Sequence, residues 1–297
     1  MENMKILVGY DGSPSAEAAL ADLKRAGLPR NAEAMVISVF EEWIPAPASI
    51  GGVATTFPME ELKEVKEATS LAKSAKAVIK TLFPEWLVQA RGMIGYPANT
   101  ILELADEWNP ELIVVGSHGR TALGRFFFGS VSQKVLQAAN CAVRIARESR
   151  RSGDEAARII VGVDGSKDAE AAVNAIHARN WSKGSEVRVV GAIGVFPPVA
   201  SEYLALEAGQ WIAAENARVK QAVESAAERL RAIGLGVSSV IKEAPPIQLL
   251  STAAEDMDAD CIFVGAKGMG RIEKMLLGSV SAAIASRAHC SVEVIRI

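Results

Sequence analysis

Short apolar runs alternate along this chain with longer stretches of helical spacing. Residues 4–9 (Met-Lys-Ile-Leu-Val-Gly) are rich in branched side chains and read as a buried strand. Ser13-Pro14 then supplies a hydroxyl N-cap and a proline for the first helical position. Residues 35–39 read as a second strand. The stretch 44–59 holds Pro45, Pro47, Gly51, Gly52 and Pro58 and reads as a loop. From 60 to 82, Leu62, Val65, Leu71, Ala75, Val78 and Leu82 fall close to helical spacing. A weaker strand at 87–93, a helix at 99–107, a very apolar strand at 112–115, a helix at 130–139 and a strand at 142–146 complete the first half. The second half repeats the order, with strands at 159–163, 187–192, 237–241, 261–264 and 292–297. Its helices are expected at 169–178, 203–233, 249–256 and 279–286. Strands alternating with helices imply parallel βαβ units covered on both faces.

The likeness of the halves extends to residues. Val-Gly-Tyr-Asp-Gly-Ser at 8–13 recurs as Val-Gly-Val-Asp-Gly-Ser at 161–166, an offset of 161 − 8 = 153. Residues 116–147 align without a gap on 265–296, an offset of 265 − 116 = 149. Two matches in the same order indicate duplication of a whole domain rather than a solenoid unit. The polar, charged stretch 147–158 is the expected linker. The fold class is therefore α/β: two tandem doubly wound domains, 1–148 and 157–297, each with a five-stranded parallel sheet of Rossmann-like kind.

Charge narrows the partners. The formal net charge of the 297 residues is −3. The first 150 residues carry 16 basic and 17 acidic groups, and the remainder 16 and 18. Neither half is a basic arm, so nucleic acid is not an expected partner. Cys141, Cys261 and Cys290 form no CxxC pair and read as buried reduced thiols. His118, His177 and His289 lie far apart, without metal-ligand spacing. The N-terminal apolar run stops at Asp11, short of a signal peptide, and no segment has the apolar length of a membrane span. The cytoplasm is the expected location. Trp43, Trp86, Trp108, Trp181 and Trp211 are scattered and are expected to serve packing rather than stacking. The charges of residues 60–80 read as a solvated helix face.

One pattern carries chemistry. The strand at 112–115 runs into Gly116-Ser-His-Gly119, and nine residues later Gly129-Ser130-Val131-Ser132 opens a helix. The second half has Gly265-Ala-Lys-Gly268, nine residues, then Gly278-Ser279-Val280-Ser281. In open parallel sheets, ligands bind beyond the carboxyl ends of strands. Glycines let the backbone come close to an anion, and a helix start offers unpaired N–H groups and a favourable dipole. The hydroxyls of Ser130 and Ser132 can add donors. A phosphate bridged between loop and helix start fits both ends. The bland alternative is a turn glycine and a helix cap; its recurrence in both halves disfavours it. No G-x-x-x-x-G-K-[ST] loop is present, and Gly268-Met-Gly270 fails as G-x-G-x-x-G because Glu273 stands at the third glycine. Asp11 and Asp164 end the first strands at the same edge. There they can accept from a ribose hydroxyl or a base amine, hold a divalent ion, or simply build an Asp-Gly turn.

These residues resemble the universal stress protein family, through Val8-Gly-Tyr-Asp11-Gly-Ser, Val114-Val-Gly116-Ser-His-Gly119 and Gly129-Ser130-Val131-Ser132. The second half matches through Asp164, Gly265, Gly268, Gly278 and Ser279. The resemblance spans nearly the whole chain, and G-x2-G-x9-G-S is the pattern of the branch that binds ATP. It implies the adenine-nucleotide alpha hydrolase-like form of the fold. ATP, with Mg2+ as its accompanying ion, would lie between the first and fourth strands. Asp11 and Val39, and in the second half Asp164 and Ala192, would contact the adenosine. The resemblance also implies pairing through the last strands, between the two domains or in a homodimer. Two features depart from the family. Cys141-Ala-Val and Cys290-Ser-Val replace Cys-Pro-Val, and Ala244-Pro245-Pro246 stands where the first half has Gly95-Tyr-Pro97. The expected function is an ATP-binding stress-response or signalling protein with little or no turnover, since His118 in one loop becomes Lys267 in the other. The alternatives are a ligand-free structural adaptor and an ATP-using enzyme. The enzyme reading lacks the expected Ser-Gly-Gly-x-Asp-like loop, having Asp11-Gly-Ser13 instead.

Overall fold

The computed structural model describes residues 3–41, 63–119, 128–151, 156–194, 202–268 and 277–297, and for 202–208 the backbone alone. The expected loop at 44–59 and Trp43 lie outside the described residues. The chain divides into two compact units, Met1–Ala21 with Pro29–Ala146, and Asp22–Leu28 with Arg147–Ile297.

The first unit contains β1 (Met4–Gly9), α1 (Pro14–Asp22), β2 (Ala32–Phe40), α2 (Lys63–Leu82), β3 (Leu87–Ile94), α3 (Pro97–Trp108), β4 (Leu112–Gly116), α4 (Ser130–Ala138) and β5 (Ala142–Ala146). Its strands pair in the order β3-β2-β1-β4-β5, all in parallel. The second contains β6 (Arg158–Gly162), α5 (Lys167–His177), β7 (Glu186–Ile193), α6 (Glu202–Ala232), β8 (Gly236–Glu243), α7 (Pro246–Met257), β9 (Cys261–Gly265), α8 (Ser279–Arg287) and β10 (Ser291–Ile295). Its order, β8-β7-β6-β9-β10, is again all parallel. Each sheet reverses its winding between its first and fourth strands, the point at which doubly wound folds open a crevice.

Continuous apolar runs make the central strands because both faces are covered. Ile6, Leu7 and Val8 of β1 and Leu112, Ile113 and Val114 of β4 are wholly buried, as are Ile159, Ile160 and Val161 of β6 and Ile262 and Phe263 of β9. The helix ends show what the periodicity left out. α3 and α7 start at Pro97 and Pro246, earlier than their apolar spacing suggests. Proline suits the first turn, where its missing N–H has no partner to lose. Trp86 is fully buried and stacks on Phe83, and Trp181 packs edge-on against Phe263. No helix among the described residues is long and apolar enough to cross a membrane.

Candidate functional site

The turn after each first strand is built by its aspartate. Asp11 accepts from the Ser13 N–H through Oδ1 at 3.0 Å, and Asp164 accepts from the Ser166 N–H at 2.9 Å. Between them Gly12 and Gly165 take φ of +74° and +80°, which a side chain would strain. Ser13 and Ser166 then cap the following helices, accepting from the N–H groups of Ala16 at 3.1 Å and Ala169 at 3.2 Å. The bland turn reading of the two aspartates is thus present in the structure, and its hydrogen bonds to Ser13 and Ser166 run through Oδ1. Oδ2 faces the glycine loop. A Cβ placed on Gly119 would lie 3.1 Å from Asp11 Oδ2, and one on Gly268 would lie 2.8 Å from Asp164 Oδ2.

The paired glycines of each loop have different tasks. Gly116 and Gly265 are packing glycines: a Cβ there would meet Ser15 at 2.7 Å and Asp168 at 2.5 Å, so α1 and α5 could not lie against the ends of β4 and β9. Gly119 and Gly268 are the ones that bring backbone to the carboxylates. Each strand exit is also tied to its helix start. Gly129 N–H donates to Ser117 C=O at 2.8 Å, and Gly278 N–H to Ala266 C=O at 2.6 Å. The glycines themselves are the N-caps of α4 and α8, with no side-chain cap bond. The helical ladder opens only with Gln133 donating to Gly129 and Ala282 to Gly278, so the N–H groups of the first turn stand outside it.

Ser132 differs from its expected role. Its hydroxyl, expected to reach a ligand, donates instead to the carbonyls of Ser117 at 3.0 Å and Gly129 at 2.9 Å. Ser281 does the same toward Gly265 at 2.6 Å and Ala266 at 3.3 Å. Both are buried. A serine at the third helical position can fold back on the loop it must hold, and here it staples loop to helix. Ser130 is exposed at the first helical position, with Val131 beside it. Val39 is half-buried near the end of β2. The hydroxyl of adjacent Ser38 donates to Tyr10 C=O at 2.5 Å, which sets that strand end beside the Asp11 turn.

In the second unit these parts surround a cavity of about 860 Å3. All eight second-half candidates line it: Asp164, Ala192, Gly265, Gly268, Gly278, Ser279, Val280 and Ser281. Sequence reasoning missed others. Lys267 lines it from the loop, its N–H held by Asp168 Oδ2 at 2.9 Å. Pro246, from the segment that departs from the first half, lines it too, as do Trp211, Glu215 and Arg218 of α6. Trp211 corrects the packing expectation for tryptophans: it is 67% exposed. The available signal was the spacing of 211, 215 and 218 on one helix face.

The first unit carries further polar contacts at this edge. Tyr10 donates its phenolic hydrogen to Glu17, and burial, reinforced by that bond, pushes its pKa up to about 12. His118 contacts the Ser117 hydroxyl through Nδ1 at 3.0 Å, while its N–H reaches the Ser15 hydroxyl at 3.3 Å. Among the described residues no three His, Cys, Asp or Glu side chains could hold a metal ion.

The sequence model of the Universal stress protein family matches twice, over residues 2–147 and 156–296. The chain belongs to the universal stress protein family. A universal stress protein of Mycobacterium tuberculosis is 29% identical over 299 residues, covering 98% of this chain and 96% of the relative. One from Thermus aquaticus is 35% identical over 142 residues, 48% of this chain and 97% of its own length. Among solved structures, a universal stress protein from Archaeoglobus fulgidus superposes with a TM-score of 0.61 at 18% identity, covering 98% of this chain and 96% of that one. That likeness speaks for the fold.

Proposed function

We propose that each half of this universal stress protein binds an adenine nucleotide, ATP above all, and holds it with little or no turnover. The observation that carries this reading is the cavity of the second unit. About 860 Å3 is a volume suited to a small-molecule ligand. One side presents glycine-loop backbone and the first turn of α8, which favour phosphate. Val163, Val190 and Leu250 supply apolar wall for a base. Asp164 Oδ2 would accept from ribose or adenine, as Asp11 Oδ2 would in the first half. A divalent ion would arrive on the phosphates, because no cluster among the described residues is built for one. Low turnover is supported by the exchange of His118 for Lys267, since a shared general base would stand in both loops. Pairing of the two domains through β5 and β10, or of two chains in the same way, belongs to this proposal, as does a cytoplasmic location. None of the three cysteines is in a disulfide, which suits a reducing compartment.

The test is the ligand itself. Mass spectrometry of material released from denatured full-length protein should find adenine nucleotide. Added ATP at a hundred times its Kd should stabilise the fold by about 2.7 kcal/mol, read as a rise in Tm. Phosphate release should match a protein-free control. Neither retained nucleotide nor a shift in Tm up to millimolar ATP would leave the adaptor reading in its place, and sustained hydrolysis would leave the enzyme reading.

A further inference from the structure

α6 is far longer than its strand requires. The eight residues of β7 span about 26 Å, whereas the 31 residues of α6 span about 46 Å. Asn216 fixes the register between them. Its Oδ1 accepts from Gly194 N–H at 2.9 Å and its Nδ2 donates to Gly194 C=O at 3.3 Å, and Gly194 directly follows β7. Because a parallel crossover runs its helix antiparallel to the strands, the part of α6 before Asn216 stands beyond the carboxyl edge of the sheet. Trp211 is on that overhang. It shares a face with Glu215 and Arg218, and all three line the cavity.

The three side chains divide the work. Both carboxylate oxygens of Glu215 accept from Arg218 Nη2 at 3.0 Å, so this wall is not a bare cationic one. Trp211 offers a broad π face, 67% exposed, where a tryptophan normally finds cover. The first half is built differently. A Cβ on Gly12 would meet Leu71 of α2 at 3.1 Å, and one on Gly165 would meet Arg218 at 3.2 Å. Matching the buried stripes of the two helices, Ala68, Ala72, Ala75 and Ile79 against Val219, Val223, Ala226 and Leu230, sets Glu60 of the sequence against Trp211.

We propose that Trp211 is the base-recognition residue of the second site, stacking on the nucleobase and making the two sites of the chain unequal. This rests on the nucleotide reading above. The phosphate end is served by the loop and α8, and among the described residues the base end gains an exposed ring from α6 of the second half.

The experiment titrates full-length protein with ATP and with inorganic tripolyphosphate by calorimetry, in wild type, Trp211→Ala and Trp211→Phe. The exposed ring makes loss of folding a small concern, and circular dichroism checks it. Alanine should weaken one of the two ATP sites on the order of 10- to 100-fold and leave tripolyphosphate binding unchanged, with phenylalanine retaining most of the affinity. ATP should quench tryptophan fluorescence in wild type, with the quench lost in Trp211→Ala. Unchanged ATP affinity at both sites of the alanine variant would overturn the proposal. So would an equal loss of tripolyphosphate binding, which would put Trp211 at the phosphate end. Failure of wild type to bind ATP would overturn the nucleotide reading first and this proposal with it.

Discussion

At the scale of single residues, glycines that look alike in sequence do unlike things. Gly265 is needed for packing, since a Cβ would strike the backbone of Asp168 at 2.5 Å. Gly268 has no such packing duty among the described residues, since a Cβ would meet the side-chain carboxylate of Asp164, at 2.8 Å. Gly265→Val should therefore destabilise the fold by about 1–3 kcal/mol, seen as a lower midpoint of chemical unfolding. Gly268→Val should keep a near-native midpoint and lose nucleotide from its half. Equal loss of stability in both would contradict this division. The motif itself was legible in the sequence, but the division was not. The neighbour of Gly265 in space, Asp168, is 97 positions away, and spacing within a loop says nothing about what a helix presses against it. The hydroxyl of Ser132 is a similar case. Its residue type allowed a ligand contact, and only the nearby carbonyls of Ser117 and Gly129 decided otherwise.

At the scale of elements, the turn from α8 into β10 holds an acid-sensitive group. His289 Nε2 is buried without a hydrogen-bond partner among the described residues. Burial, with Arg150 and Arg147 nearby and Glu255 and Asp258 opposing, lowers its pKa from 6.5. Above that value His289 is neutral in folded and unfolded chains alike. As the pH falls below 6.5, the unfolded chain takes up the proton first, so stability is lost on the acid side. Tm measured from pH 7.5 down to 5 should fall, and His289→Gln should flatten part of that slope; an unchanged slope would exclude His289 as its source. The elements themselves were largely legible. Apolar runs placed all ten strands of the described residues, because strands covered on both faces have little choice of composition. Helix starts were less so, since Pro97 and Pro246 extend α3 and α7 without adding to their apolar periodicity.

For the whole molecule, the proposed nucleotide reading of both glycine loops predicts a count. Calorimetry should find two ATP per chain. Gly119→Val and Gly268→Val should each leave one, and the double variant none; a single nucleotide in wild type would confine the function to one half. The duplication, the α/β class and the glycine loops follow from the sequence alone, because repeats, alternating apolar runs and glycine spacing are properties of order along the chain. Which hydroxyls turn inward, which glycines yield to packing and which tryptophan reaches a cavity were decided by tertiary structure. Those outcomes depend on how far α6 overhangs its sheet and on what residues a hundred positions away bring within 3 Å, and burial and hydrogen bonding act on such distances rather than on sequence separation.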